Sequence, residues 1–188
     1  MSNILITVGF LLNLFCFFPY LKDVLKKKTE PHIYTWFIWS VSQGIGFYAT
    51  YKSGASFASF IILSSFLSVF IIFLLSFRYG SKNVTSFDKK CLLFTFATIF
   101  AYLFFKDPLY SILLAVTTDV LAYFPTLRKV YEEPYTETIS FYYISVFAQS
   151  LGVFSLSEWT LRNSFFAFAM IFINTLTTIV IVYARKFK

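Results

Sequence analysis

The segment Phe18-Pro19-Tyr20-Leu21-Lys22 returns 106 residues later as Phe124-Pro125-Thr126-Leu127-Arg128, and the reading of that pair decides the fold. Each copy closes a long apolar run and opens a basic loop. At the same offset Ile33 lies over Ile139, Ile38 over Ile144, Gln43 over Gln149 and Gly46 over Gly152. Eight of the 30 positions from Phe18 to Phe47 are identical to their counterparts, against roughly three expected from so biased a composition. A repeat of this length sets the architecture before any function is argued.

The medium in which the repeat folds follows from composition. Of the 188 residues 58% are hydrophobic, 23% aromatic and only 13% charged, far from the usage of water-soluble domains. The 27 Phe and 13 Tyr suit a lipid-facing surface with aromatic belts at the headgroups. A helix needs about 20 mostly apolar residues to cross the hydrocarbon core, where every backbone group must be bonded internally. Seven runs meet this, at about 2–21, 32–51, 56–77, 90–106, 108–127, 138–157 and 163–184. Met1-Ser2-Asn3 carries no basic stretch, so the first run is expected to be a retained span rather than a cleaved signal. Helix four is the shortest run, and Lys106-Asp107-Pro108 separates it from helix five.

The net charge of +7 would suit nucleic acid only if the basic residues formed a surface patch; instead they alternate with the spans. One set of connections holds Lys52, Lys106 and Arg162. The other holds Lys22, Lys26, Lys27, Lys28, Arg78, Lys82, Lys89, Lys90, Arg128, Lys129, Arg185, Lys186 and Lys188. Cytoplasmic loops are the basic ones, so the expected orientation has the N-terminus outside and the C-terminus in the cytoplasm. Asn83-Val84-Thr85 then lies on the wrong side for glycosylation. Cys16 and Cys91 fall toward the reducing side, and no disulfide is expected.

With one helix between them, the two triplets enter the membrane from the same side, a parallel-repeat design found in some transporters. The expected fold is therefore all-α and transmembrane. A first three-helix bundle occupies 1–80, a linker loop and helix four occupy 81–107, and a second three-helix bundle occupies 108–188.

This arrangement, with its paired proline segments, resembles the SWEET and PQ-loop transporter families, whose helices are organised three plus one plus three. In those families the first helix of each triplet carries a proline, often followed by glutamine, ahead of a basic loop. Here Pro19 and Pro125 match, while Tyr20 and Thr126 replace the glutamine. Gln43-Gly44-Ile45-Gly46-Phe47 looks like the helix-two pattern of the cystinosin-like branch. The sugar-transporting branch uses a helix-two tryptophan and an asparagine in the last helix of each triplet as sugar contacts. Asn174 matches the asparagine, Ser68 stands at the other position, and no tryptophan occupies the mid-helix position of helix two. The resemblance implies alternating-access transport of a small polar solute such as an amino acid, sugar or vitamin. It also implies a proton-coupling aspartate in helix five, where this chain has Asp119.

Independently of the resemblance, strongly polar side chains recur at one depth. Asn13, Gln43, Asp119, Gln149 and Asn174 lie near the centres of their spans, with Ser65 and Ser68 in helix three. Such groups are costly in hydrocarbon and mark an internal pathway unless they only bridge helices, a bond worth about 1 kcal/mol. Asn13, Gln43, Ser68, Gln149, Asn174 and Trp39 are the candidate solute contacts, and Asp119, the one acidic residue deep in a span, the candidate proton carrier. Pro19 and Pro125 each remove a helical hydrogen bond and are candidate hinges. Pro31 and Pro134 read as helix-initiating, Gly46 and Gly152 as points of helix approach, Trp36 as part of an aromatic belt and His32 as an interfacial anchor.

Metal-binding, nucleophile-elbow and phosphate-loop motifs are absent, and Glu132, Glu133 and Glu137 read as a solvated loop or a gate. Neither enzymatic activity nor a cofactor is expected. The expected partners are the solute and the bilayer, without nucleic acid; self-association is compatible with the sequence. A seven-helix receptor is disfavoured because helix seven has no lysine for a retinal Schiff base and a receptor does not predict the repeat. A structural or lipid-handling protein, whose polar layer only joins helices, is the remaining alternative.

Overall fold

The computed structural model describes residues 2–52, 56–104, 108–154 and 161–187. Seven α-helices are present among the described residues: α1 (Ser2–Leu25), α2 (Ile33–Lys52), α3 (Ser56–Tyr79), α4 (Ser86–Phe104), α5 (Pro108–Glu132), α6 (Ile139–Phe154) and α7 (Leu161–Phe187). No strand occurs among the described residues. The polar turns around Lys106-Asp107 and Ser157–Arg162 fall largely outside them, as do 53–55 in the connection from α2 to α3.

Local chemistry explains the helix ends. Lys27 adopts a left-handed conformation (φ 57°) just past α1, and the carbonyl of Asp23 accepts the N–H groups of Lys28 and Thr29, a C-terminal cap that Pro31 keeps from continuing. Thr85 and Asp88 exchange backbone and side-chain hydrogen bonds ahead of α4, a capping box that starts the helix four residues before its apolar run. Pro108 opens α5, where its missing N–H costs nothing. Pro134 does not open α6 as its position suggested. It begins a one-turn 3₁₀ helix, Pro134–Thr136, and α6 starts after Glu137 and Thr138.

The packing has an internal symmetry. α3 touches both α1 and α2, and α7 touches both α5 and α6. Between the triplets α1 packs on α6 and α2 on α5, so exchanging the triplets maps these contacts onto themselves; α4 lies against α5 and α2. α1 and α6 approach closely at Gly9, where a Cβ would sit 3.2 Å from the carbonyl oxygen of Ala148. A Cβ at Gly152 would meet nothing within 4 Å, and the side-chain position of Gly46 lies outside the description. Of the repeated pair, Gly152 is therefore no point of close approach.

All the basic loops converge at one end of the bundle. The Glu30 N–H bonds the Thr136 carbonyl, the Ser81 N–H bonds the Pro31 carbonyl, and Arg185 donates to the carbonyls of Pro134 and Glu137. Trp36 and His32 are here too, but not as interfacial anchors. Trp36 is 1% exposed, packed against Tyr20 and Phe141, because its Nε1–H finds a partner in the Tyr20 hydroxyl. His32 is wholly buried beside Asp88. Glu137, likewise, is no solvated loop residue; it is buried against Lys129.

Two helices, over Thr7–Leu25 and Ser164–Phe187, are long and apolar enough to cross a membrane among the described residues, with shorter apolar stretches at Leu63–Tyr79 and Ile139–Phe154. In α2 and α5 polar residues such as Ser40, Gln43, Thr118 and Asp119 dilute the apolar run. Large apolar side chains nevertheless face outward from the bundle, including Phe15, Phe94, Phe100, Phe147 and Phe172, while Asp119, Thr118 and Asn174 are buried inside it.

Candidate functional site

A cavity of about 110 Å³ lies between the two triplets. The first contributes Asn13 and Phe17 from α1, Trp39 and Gln43 from α2, and Ser65 and Val69 from α3. The second contributes Asp119 and Tyr123 from α5, Phe141, Ser145 and Gln149 from α6, and Phe166, Met170 and Asn174 from α7. α4 supplies no described lining residue. Eight of these residues form four pairs at the repeat offset of 106: Asn13 with Asp119, Phe17 with Tyr123, Trp39 with Ser145, and Gln43 with Gln149. The cavity thus sits where the first two helices of each triplet are exchanged by the internal symmetry.

The third helices break that offset. α3 presents residues 65 and 69 and α7 presents 170 and 174, so their counterparts are 105 apart. One residue is about 100° around a helix, and this rotation carries Ser68 away from the cavity. Ser68 instead lines a separate groove with Leu14, Phe18 and Ile72, and its hydroxyl donates to the Ser64 carbonyl at 3.0 Å. Val69 takes the place that the repeat alignment assigned to Ser68, as the counterpart of Asn174, and Ser65, one turn away, is the counterpart of Met170.

The remaining candidates differ in how far their polar atoms are committed. Asn174 is 3% exposed; its Oδ1 accepts the Tyr123 hydroxyl at 3.0 Å and its Nδ2 donates to the Met170 carbonyl at 2.8 Å. It holds Tyr123 in place across α5 and α7. Asn13, Gln43 and Gln149 are half-buried. Asp119 is 5% exposed, Ser42 hydrogen-bonds its carboxylate, and its Oδ1 has no hydrogen-bond partner. Trp39 Nε1–H reaches the Asp119 carbonyl at 3.5 Å, and its ring meets that of Tyr123 edge-on at 4.6 Å.

Toward the basic end the cavity is capped in layers. Phe17, Tyr20, Trp36 and Phe141 form a continuous aromatic cluster with centroid separations of 4.8 to 6.4 Å. Beside it the Thr126 hydroxyl donates to Thr35, which donates to the Ala122 carbonyl, within the turn that Pro125 perturbs. Pro19 is half-buried and Pro125 buried, each inside its helix. Farther out the Thr29 and Thr138 hydroxyls share a hydrogen bond, Thr138 also bonds Asp23, and Lys129 joins Glu137 and the carbonyls of Glu30 and Thr136.

Phe17, Tyr123, Phe141, Ser145, Phe166 and Met170 were not singled out from the sequence. Aromatic and small hydroxyl residues are common in such helices, and only the repeat offset from Trp39, Asn13-based depth and neighbouring positions would have flagged some of them. Among the described residues no group of His, Cys, Asp and Glu is arranged to hold a metal ion. Both cysteines are free and buried. No protein-family model matches the chain, and neither a curated protein nor a solved structure matches it.

Proposed function

We propose that the chain is a multi-pass membrane transporter of small polar solutes, working by alternating access between two like-oriented three-helix bundles joined by α4. The observation that carries this reading is the cavity itself, eight of whose fourteen described lining residues are paired across the repeat. Repeat-built transporters hold solute where their repeats meet. Buried polar groups such as Asp119, Thr118 and Asn174 beneath an outward surface rich in Phe support a lipid surround. The convergence of basic loops at one end supports the orientation with the C-terminus in the cytoplasm.

In this reading the layered cap is the cytoplasmic gate, and Pro19 and Pro125 are the hinges beside it. Asp119 is the proton carrier, since a buried carboxylate without a cationic partner gains or loses charge only by exchanging a proton or a cation. The architecture is that of the SWEET and PQ-loop transporters, which the paired proline segments resemble. The test is uptake of labelled amino acids and sugars by the purified protein in proteoliposomes, with and without a pH gradient. Gradient-driven uptake that Asp119→Asn removes is the expected result. Vesicles that take up no solute faster than protein-free vesicles would exclude transport.

A further inference from the structure

We infer that the Asp119 corner of the cavity binds the positively charged nitrogen of a small organic ammonium ion, which exchanges there with a proton. The inference rests on the transport reading of the same cavity and narrows its substrate class.

The cavity holds a buried carboxyl group with an unused acceptor. Asp119 is 5% exposed, and its Oδ1 meets no donor among the described residues. Among the described residues the lining contains no Lys, Arg or His. From the packed helices Asn13, Gln43, Ser65, Gln149 and Asn174 face the cavity, all uncharged, and Tyr123 is the other titratable group in the lining. A buried carboxylate left unpaired costs several kcal/mol, so it is retained where a proton or a cation neutralises it.

The surrounding surface selects between cations. Trp39 and Tyr123 stand beside Asp119, with Phe17 and Phe141 on the neighbouring walls. Aromatic faces attract ammonium groups and give little to a bare metal ion, which needs several oxygen ligands. The repeat makes the site single: the counterpart of Asp119 is the neutral amide of Asn13. A volume of about 110 Å³ falls well under the roughly 300–1,000 Å³ of pockets for drug-sized ligands, which restricts the ion to a few heavy atoms.

One carboxylate cannot hold a proton and an ammonium ion together. Binding of the ion to the protonated site releases one proton, the charge in the cavity stays balanced, and each passage of a cation in one direction returns a proton in the other. This predicts one-for-one exchange rather than cotransport.

The test uses three near-isosteric probes on the full-length protein in detergent: ethanolammonium, ethylene glycol and glycolate. In unbuffered solution near the midpoint of Asp119 protonation, ethanolammonium is expected to release a proton and raise the melting temperature, while the neutral and anionic probes do neither. Its affinity is expected to fall about tenfold per pH unit below that midpoint, and at least tenfold in Asp119→Asn that remains monodisperse. Trp39→Leu is expected to weaken ethanolammonium severalfold while proton uptake by Asp119 is retained. Equal binding of ethylene glycol, or unchanged binding in Asp119→Asn, overturns the ammonium site. Uptake of neutral solutes by vesicles without ethanolammonium binding overturns this inference alone. Ethanolammonium binding without movement across the bilayer overturns the transport reading instead.

Discussion

Lys129 Nζ lies 2.5 Å from Glu137 Oε2, and both side chains are completely buried. The pair joins α5 to the segment entering α6, while the same ammonium bonds the carbonyls of Glu30 and Thr136. It thereby ties together the loops that follow the first helix of each triplet. Removing one partner from a buried pair costs about 3–5 kcal/mol, because the other charge is left behind. Lys129→Met is expected to lose stability of that order in thermal unfolding in detergent. The double variant with Glu137→Leu is expected to recover part of it. A double variant no more stable than Lys129→Met would show that the two side chains are not coupled.

Acid should act first at Asp88. Burial pushes its carboxyl up, but Arg128 at 2.8 and 3.0 Å, the Thr85 N–H and His32 together hold it below the ordinary carboxylate range. The unfolded chain, with a carboxyl near pKa 4, binds this proton more readily than the folded one. The stabilisation is therefore complete above about pH 4 and is lost as pH falls through the lower folded value. In melting experiments Asp88→Asn is expected to be less stable than the parent at pH 7, with the gap closing below about pH 4. A gap independent of pH would assign the loss to packing.

Ser65 and Ser68 separate the tertiary arrangement from the repeat alignment. Ser65→Leu fills the cavity and is expected to reduce solute binding at least tenfold, with melting temperature close to that of the parent. Ser68→Ala loses only a bond to its own helix, and its binding should match the parent. Calorimetric titration with a solute that binds the parent would decide between them, and the reverse order would move the site toward the Ser68 groove.

Pro125 lies in the turn where Thr35 bonds the Ala122 carbonyl. If this turn bends during transport, Pro125→Ala stiffens it and slows exchange severalfold without changing equilibrium binding. Counterflow rates set against calorimetric affinity would test the hinge; a loss confined to affinity speaks against it.

At Lys27 the backbone is left-handed with φ 57°, a conformation that costs an L-residue about 1 kcal/mol or more and glycine little. Lys27→Gly is expected to raise stability by about 0.5–1 kcal/mol, read as a higher melting temperature with unchanged solute affinity.

Much of the helical order was legible because long apolar runs and the basic residues between them carry it directly. Polar residues at mid-span depth pointed to Asn13, Gln43, Asp119, Gln149 and Asn174, which meet at one cavity. Their depth is a matter of counting along the chain, and the offset of 106 shows which residues occupy matching levels.

Angular position around a helix is a different quantity, and packing decides it. The change of offset from 106 to 105 in α3 and α7 puts Val69 rather than Ser68 opposite Asn174 and turns Ser65 toward the cavity, although Ser65 and Ser68 lie near the same depth. Trp36 and His32 sit in the sequence where membrane boundaries place anchors, yet the Tyr20 hydroxyl and the Asp88 carboxylate draw them inside. Sequence alone determined the helices, their polar levels and the asymmetry of charge. Only the tertiary structure decided which faces meet, because a rotation of one residue moves a side chain to another wall without altering the pattern along the chain.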